Sequence, residues 1–260
     1  MHFVRYIGIH YSGAEVPLSN LTGLRVYMAD RTAQPFEVEP PVTPGKYWTR
    51  AAIAAWLSER LLQDDTPTLV GIDHGFSFPL AYFREHRLPL DWTAFLMDFQ
   101  RHWPTDDDHM YVDFVRDGIH GDAFGRFGSP RWRRLTEVRA GRSKSVFHFE
   151  APGSVAKATH AGLPWLLRIR RQAGDGVHFW PFDGWDVPSG RSVIAEVYPA
   201  SLSRLFLPEG LNSHQCYARS IAAWLRESDI NGSLIQFMSP ALSSEERKIA
   251  EIEGWILGTP

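Results

Sequence analysis

The 260-residue sequence predicts an α/β domain: a mixed sheet flanked by helices, with a long basic insertion. Three observations carry that expectation. Three short apolar runs separated by turn residues open the chain, a helical period follows, and two later apolar runs each hold an acid, Asp73 and Glu196. A chain of this length buries roughly 70–75 % of the surface its unfolded form exposes, so it folds without disulfides or a structural metal. One domain over 1–260 is expected, with an insertion at about 118–190.

Each element has a local reason. Val4, Tyr6, Ile7 and Ile9 precede the small-residue loop Ser12-Gly13-Ala14. Leu24, Val26 and Tyr27 follow Gly23 in partial alternation, and Phe36 and Val38 form a short run ended by Pro40-Pro41. Such runs between turn residues read as an antiparallel meander. Thr49 can then cap a helix to about Leu62, with Ile53, Trp56, Leu57, Arg60 and Leu61 on one face. Thr66-Pro67 stops it. The continuously apolar 68–73 reads as a central, buried strand ending in Asp73.

A helix is expected from about Leu90 to Trp103. The stretch 118–190 is rich in Gly, Pro, Arg and Trp without a sustained period, and is expected to lie over the functional face as an elaborated insertion. Regularity returns with a strand at 191–199 carrying Glu196. A helix from about His214 to Glu227 has Tyr217, Ile221, Trp224 and Leu225 on one side. A last helix begins where Ser243 and Glu246 fit a capping box. The order of strand, strand, strand, helix, strand, insertion, strand and helix is the layout of the ribonuclease H-like fold, one of several α/β arrangements that periodicity alone allows.

Composition removes other classes. With 44 % hydrophobic and 22 % charged residues the chain is neither disordered, collagen-like nor a coiled coil. The longest run without Asp, Glu, Lys or Arg, at 230–244, contains Asn, Gly, Ser and Gln, so no membrane span is expected. Strand-like sequence almost from Met1 leaves no expectation of a secretory signal. The single Cys216 cannot form an internal disulfide, which fits a cytoplasmic location. The net charge of −3 hides an asymmetry. Residues 126–171 hold eleven basic side chains against Glu137 and Glu150, a balance of +9; residues 98–122 hold seven aspartates against Arg101 and Arg116, a balance of −5.

In the expected layout the first and fourth strands are neighbours, and His10 and Asp73 at their carboxyl ends face one cleft. Glu196 joins from a later strand, and His214-Gln215 from the start of a helix. Acids gathered in this way suit phosphodiester hydrolysis, in which paired divalent cations clamp the attacking water and the leaving oxygen. Magnesium favours such oxygen ligands.

The segments Tyr6-Ile7-Gly8-Ile9-His10-Tyr11-Ser12-Gly13-Ala14, Gly71-Ile72-Asp73, Ala195-Glu196-Val197-Tyr198-Pro199 and Glu253-Gly254-Trp255-Ile256 resemble those of domain-of-unknown-function family 429, bacterial predicted ribonuclease H-like nucleases. Lys157-Ala158-Thr159-His160-Ala161-Gly162-Leu163-Pro164-Trp165 and Ala222-Ala223-Trp224-Leu225 extend the likeness over nearly the whole chain. The resemblance implies a ribonuclease H-like fold and a metal-dependent nuclease activity on DNA or RNA.

Two positions depart from the family's pattern. His10 stands where the first strand should end in aspartate, and His214-Gln215-Cys216-Tyr217 where a helix should carry another. Asp73 and Glu196 alone set −2 against the +4 of two divalent ions. At about 4 Å and an effective dielectric near 20, each missing charge forfeits on the order of 4 kcal/mol of attraction. A single ion held by His10, Asp73, Glu196 and His214 is the alternative, a nitrogen-and-oxygen set suited to manganese, zinc or iron. Expected cofactors are therefore magnesium or manganese before zinc, and no organic group.

The basic segment is the expected nucleic-acid surface. Arg131, Arg133 and Arg134 flank Trp132; Arg168, Arg170 and Arg171 follow Trp165; Lys144 and Lys157 could reach a scissile phosphate. Rings beside guanidinium groups can follow a phosphate backbone while stacking bases. The competing expectation is an intramolecular match with the acidic stretch before it. Two functions follow: a nuclease centred on Asp73, Glu196 and His10, or an inactive module of the same fold holding nucleic acid or a protein partner.

Overall fold

The computed structural model describes residues 3–41, 45–63, 65–141, 143–151, 153–199, 202 and 210–260. Arg142 of the basic segment lies outside them. Strands β1 (Arg5–His10), β2 (Arg25–Asp30) and β3 (Phe36–Glu37) lead into α1 (Arg50–Gln63) and β4 (Thr68–Asp73). Helices α2 (Leu80–Glu85), α3 (Trp92–His102), α4 (Val112–Arg116), α5 (Leu135–Arg139) and α6 (Ala156–Ala173) follow. The chain then forms β5 (Val177–Trp180), β6 (Ser192–Glu196), α7 (Ser213–Ile230), α8 (Leu234–Phe237) and α9 (Ser244–Glu253).

One mixed sheet has the order β3-β2-β1-β4-β6-β5. The opening meander is antiparallel, while β1, β4, β6 and β5 run parallel. The expected adjacency of β1 and β4 is present, with His10 directly opposite Asp73 in the register.

Successive side chains on a strand point to opposite faces. Ile7, Ile9, Val70, Ile72 and Ile194 therefore share one face, where they join the core beneath α1, α3 and α6. Tyr6, Gly8 and His10 share the other with Leu69, Gly71 and Asp73, beneath α7. The glycines set how closely α7 rides. A Cβ added to Gly8 would sit 2.2 Å from the Ala218 carbonyl oxygen, and one at Gly71 would sit 2.7 Å from Ile221 Cγ2. No larger residue fits beneath the helix, so its first turn is carried directly over the ends of β1 and β4.

The stretch 118–190 does not lie wholly over the functional face. It supplies the edge strand β5 and the 18-residue α6, which packs against α1 and α3 on the face away from α7. Gly162 and Pro164 obscured the helical pattern, since both are poor helix-interior residues. Gly162 has a packing reason: a Cβ there would sit 2.5 Å from Nε2 of the buried His74.

Candidate active site

The register that aligns β1 with β4 also assembles a chain of polar side chains. His10 Nδ1 lies 2.6 Å from Asp73 Oδ2, and His10 Nε2 lies 3.0 Å from His214 Nδ1. The two imidazoles stack with centroids 5.1 Å apart and planes 22° from parallel, and Tyr217 flanks His10 at 5.2 Å. His10 and Asp73 side chains are each 14 % exposed, so the pair is sheltered but reachable. His214 arrives on the first turn of α7, which Asn212 caps by accepting from Gln215 N.

Hydrogen-bond logic orders the protons. Asp73 accepts from His10 Nδ1–H, and in the tautomer with no proton on Nε2 that nitrogen keeps a lone pair. That lone pair accepts from His214 Nδ1–H, so Nε2 of His214 becomes the basic end of the chain. Partial burial first, and then the positive Arg25, lower the His214 pKa. His214 is then neutral near pH 7 and able to accept a proton.

Glu196 does not join this cluster. Its register partner is Ile72, one residue before Asp73, so it emerges on the opposite face of the sheet. There Arg134 Nη1 and Nη2 hold its two oxygens at 2.7 and 2.6 Å, and Phe76 N donates to it at 3.1 Å. Arg134 also bonds Glu137 Oε1 at 2.9 Å, while Glu253 accepts from Leu80 N and Leu135 N. All four charged groups are nearly inaccessible. An acid inside an apolar strand thus has an ion-pair partner 62 residues upstream, and its oxygens are committed.

Much of the basic segment is matched within the chain. Arg134 is buried. Arg126 pairs with Asp98, Arg139 with Glu246, Lys157 with Asp113 and Arg170 with Asp183. Arg133 donates to the carbonyls of Glu137 and Ser143, and Arg171 to Gln100 Oε1. Arg168 is exposed over the Trp165 ring, and Arg131 and Lys144 are exposed. Asp98 and Asp113 come from the acidic stretch, so part of the charge asymmetry closes on itself.

Among the described residues no three His, Cys, Asp or Glu side chains gather in an arrangement ready to hold a metal ion. The donors fit two-magnesium chemistry poorly, because Glu196 is sequestered and His10 and His214 offer nitrogen rather than oxygen. They fit a single softer ion better. His10 Nε2 and His214 Nδ1 would be its nitrogen ligands, and since they are hydrogen-bonded to each other at 3.0 Å, an ion would replace that bond. Asp73 on the other nitrogen of His10 is the supporting carboxylate such ligands commonly have.

Two neighbours escaped the sequence reading. Gln215 donates through Nε2 to Glu37 Oε2 at 2.6 Å. Arg25 stands directly opposite His10 on β2; its alternation with Leu24 and Val26 was the available signal. Comparison of the chain with protein-family models, with curated proteins and with solved structures finds no match.

Proposed function

We propose that this protein is a ribonuclease H-like hydrolase of nucleic-acid phosphodiesters, with Asp73, His10 and His214 at its centre. The observation that carries the reading is the alignment of His10 with Asp73 at the carboxyl ends of adjacent parallel strands, with His214 hydrogen-bonded to His10 from above. In open α/β sheets, ligands bind outside the carboxyl ends of the strands.

Asp73 fixes the His10 tautomer and stabilises positive charge moving onto the imidazoles. His214 Nε2 accepts the proton of an attacking water, and the shared hydrogen bond spreads the resulting charge towards Asp73. A divalent ion, which His10 Nε2 and His214 Nδ1 would hold only in place of the hydrogen bond between them, would instead supply Lewis acidity towards the phosphoryl oxygen. The family resemblance supports the fold assignment, as does a sheet in which an antiparallel meander adjoins parallel strands.

The test is cleavage of single- and double-stranded DNA and RNA, with a chelator and with magnesium, manganese or zinc. Cleavage is expected to be strongest with manganese and to fall about 100-fold or more in Asp73→Asn. Absence of cleavage across the whole panel, or undiminished cleavage by Asp73→Asn, overturns the reading. The sequestration of Glu196 by Arg134 favours a second one, a non-catalytic module of the same fold that binds nucleic acid or a protein. It predicts binding without turnover.

A further inference from the structure

The residue facing His10 across the meander is a cation short of partners. Arg25 is 8 % exposed, yet among the described residues its guanidinium makes no hydrogen bond, and Nε is one of the buried nitrogens without a partner. Its nearest carboxylate oxygen, Glu37 Oε1, is 3.6 Å away. Glu37 is shared: its Oε2 accepts from Gln215 Nε2 at 2.6 Å and Tyr27 Oη at 3.3 Å, and its Oε1 is the oxygen that faces Arg25. The Tyr47 ring covers the guanidinium, 4.6 Å from ring centroid to Cζ. A guanidinium carries five donors, and leaving the buried Nε–H of this one unmade is expensive.

Those donors sit at a groove of about 590 Å³, whose walls include Arg25, Lys46, Tyr47, Asn212 and Gln215. The positive end of the 18-residue α7 opens onto the same place. We propose that this groove binds a phosphate group on Arg25, beside the imidazole cluster. The planar fork of an arginine matches the oxygens of a phosphate, and a helix start adds backbone donors. Arg25 and His10 are direct partners in the β1–β2 register, so a phosphate held there lies next to the reactive chain. Tyr47 offers a flat ring for an attached base, and Lys46 a second cation. Glu37 and Glu39 also line the groove; Glu37 is the internal competitor the phosphate displaces from Arg25.

The inference rests on the proposed hydrolase reading for the source of the phosphate, a nucleic-acid strand. Calorimetric titration of the full chain with inorganic phosphate and with the dinucleotide pTpT tests it. Binding is expected to weaken about tenfold or more in Arg25→Gln, and by a smaller factor in Arg25→Lys, which keeps charge but loses the fork. Glu37→Gln is expected to tighten it severalfold by removing the competitor. Tighter binding of pTpT than of phosphate identifies a strand as the ligand; binding of phosphate alone identifies the free ion and leaves the site standing. No binding by the unaltered protein overturns the proposal, as does equal binding by folded Arg25→Gln. Should Arg25→Gln fail to fold, unchanged affinity in Glu37→Gln overturns it. Cleavage by the unaltered protein separates the two readings. Arg25-dependent binding without cleavage removes the hydrolase alone, whereas cleavage with Arg25-independent binding removes this site alone.

Discussion

Asp73 and Glu196 end adjacent parallel strands, only one register step apart, and their surroundings are opposites. Asp73 faces α7, is partly open and touches a stacked imidazole pair. Glu196 faces the other way and is sealed beneath a guanidinium that also neutralises Glu137. A step of one residue on a strand exchanges the sheet faces. The difference teaches that the alternation of a strand, more than the presence of an acid at its end, decides whether a carboxylate is available for chemistry or for architecture.

The sharpest way to break the comparison is to unpair the sealed side. Arg134→Met leaves Glu137 and Glu196 buried without their cation and is expected to cost about 4 kcal/mol of unfolding free energy. Urea denaturation measures it. Adding Glu196→Leu should recover part of the loss, because the orphaned charge goes with its partner. A double variant no more stable than the single one would show that Arg134 acts through packing rather than charge.

Acid should reveal the boundary between the two sides, where His74 sits. Burial, reinforced by the nearby Arg134, lowers its pKa to about 4, against an opposing hydrogen bond to Gly75 O. The unfolded imidazole, near 6.5, binds a proton first as pH falls, so the neutral ring's stabilisation is complete above about 6.5 and drains away down to about 4. Between pH 7 and pH 5 the loss is about 2 kcal/mol. Burial raises the Glu137 and Glu253 carboxyls, which act in the opposite sense. The check is therefore the wild type against His74→Asn, whose stability should depend less on pH over that interval. Parallel pH profiles would contradict the assignment.

Gly8→Ala should cost about 1–3 kcal/mol, because its Cβ meets the backbone of α7 and the helix must lift. It should also separate His214 from His10, so a combined loss of stability and of the hydrogen-bonded imidazole signal in proton NMR is expected. The smallest effect belongs to the open side. Asp73→Asn should change stability by less than about 1 kcal/mol, since the group is partly solvated and can still accept a hydrogen bond. A cost as large as that of Arg134→Met would make both carboxylates structural and erase the contrast.

How much of this was legible in the sequence depended on whether the cause was local. The apolar runs of β1 and β4, the start of α1 at Thr49 and the Ser243–Glu246 capping box each contain their own reason, and each element formed as expected. The helix α6 was hidden because its glycine and proline are tolerated by neighbours, Gly162 by the His74 ring. Glu196 looked functional because an acid in an apolar strand needs an explanation, and that explanation, Arg134, stood in a run of arginines with nothing local to single it out. Arg25 was passed over for the opposite reason, as an ordinary polar residue in an alternating strand. Its significance comes from facing His10 with a buried Nε that has no partner.

The glycine rails under α7 carry one more consequence. Because Gly8 and Gly71 bring main chain against helix, the gap between positions 10, 73 and 214 is dictated by the scaffold and not by the residues that occupy it. Such a gap works as a socket. Histidine or aspartate could be exchanged at position 10 without moving the helix, so what the ends of β1 and β4 present to solvent can be changed by single substitutions that leave folding almost untouched.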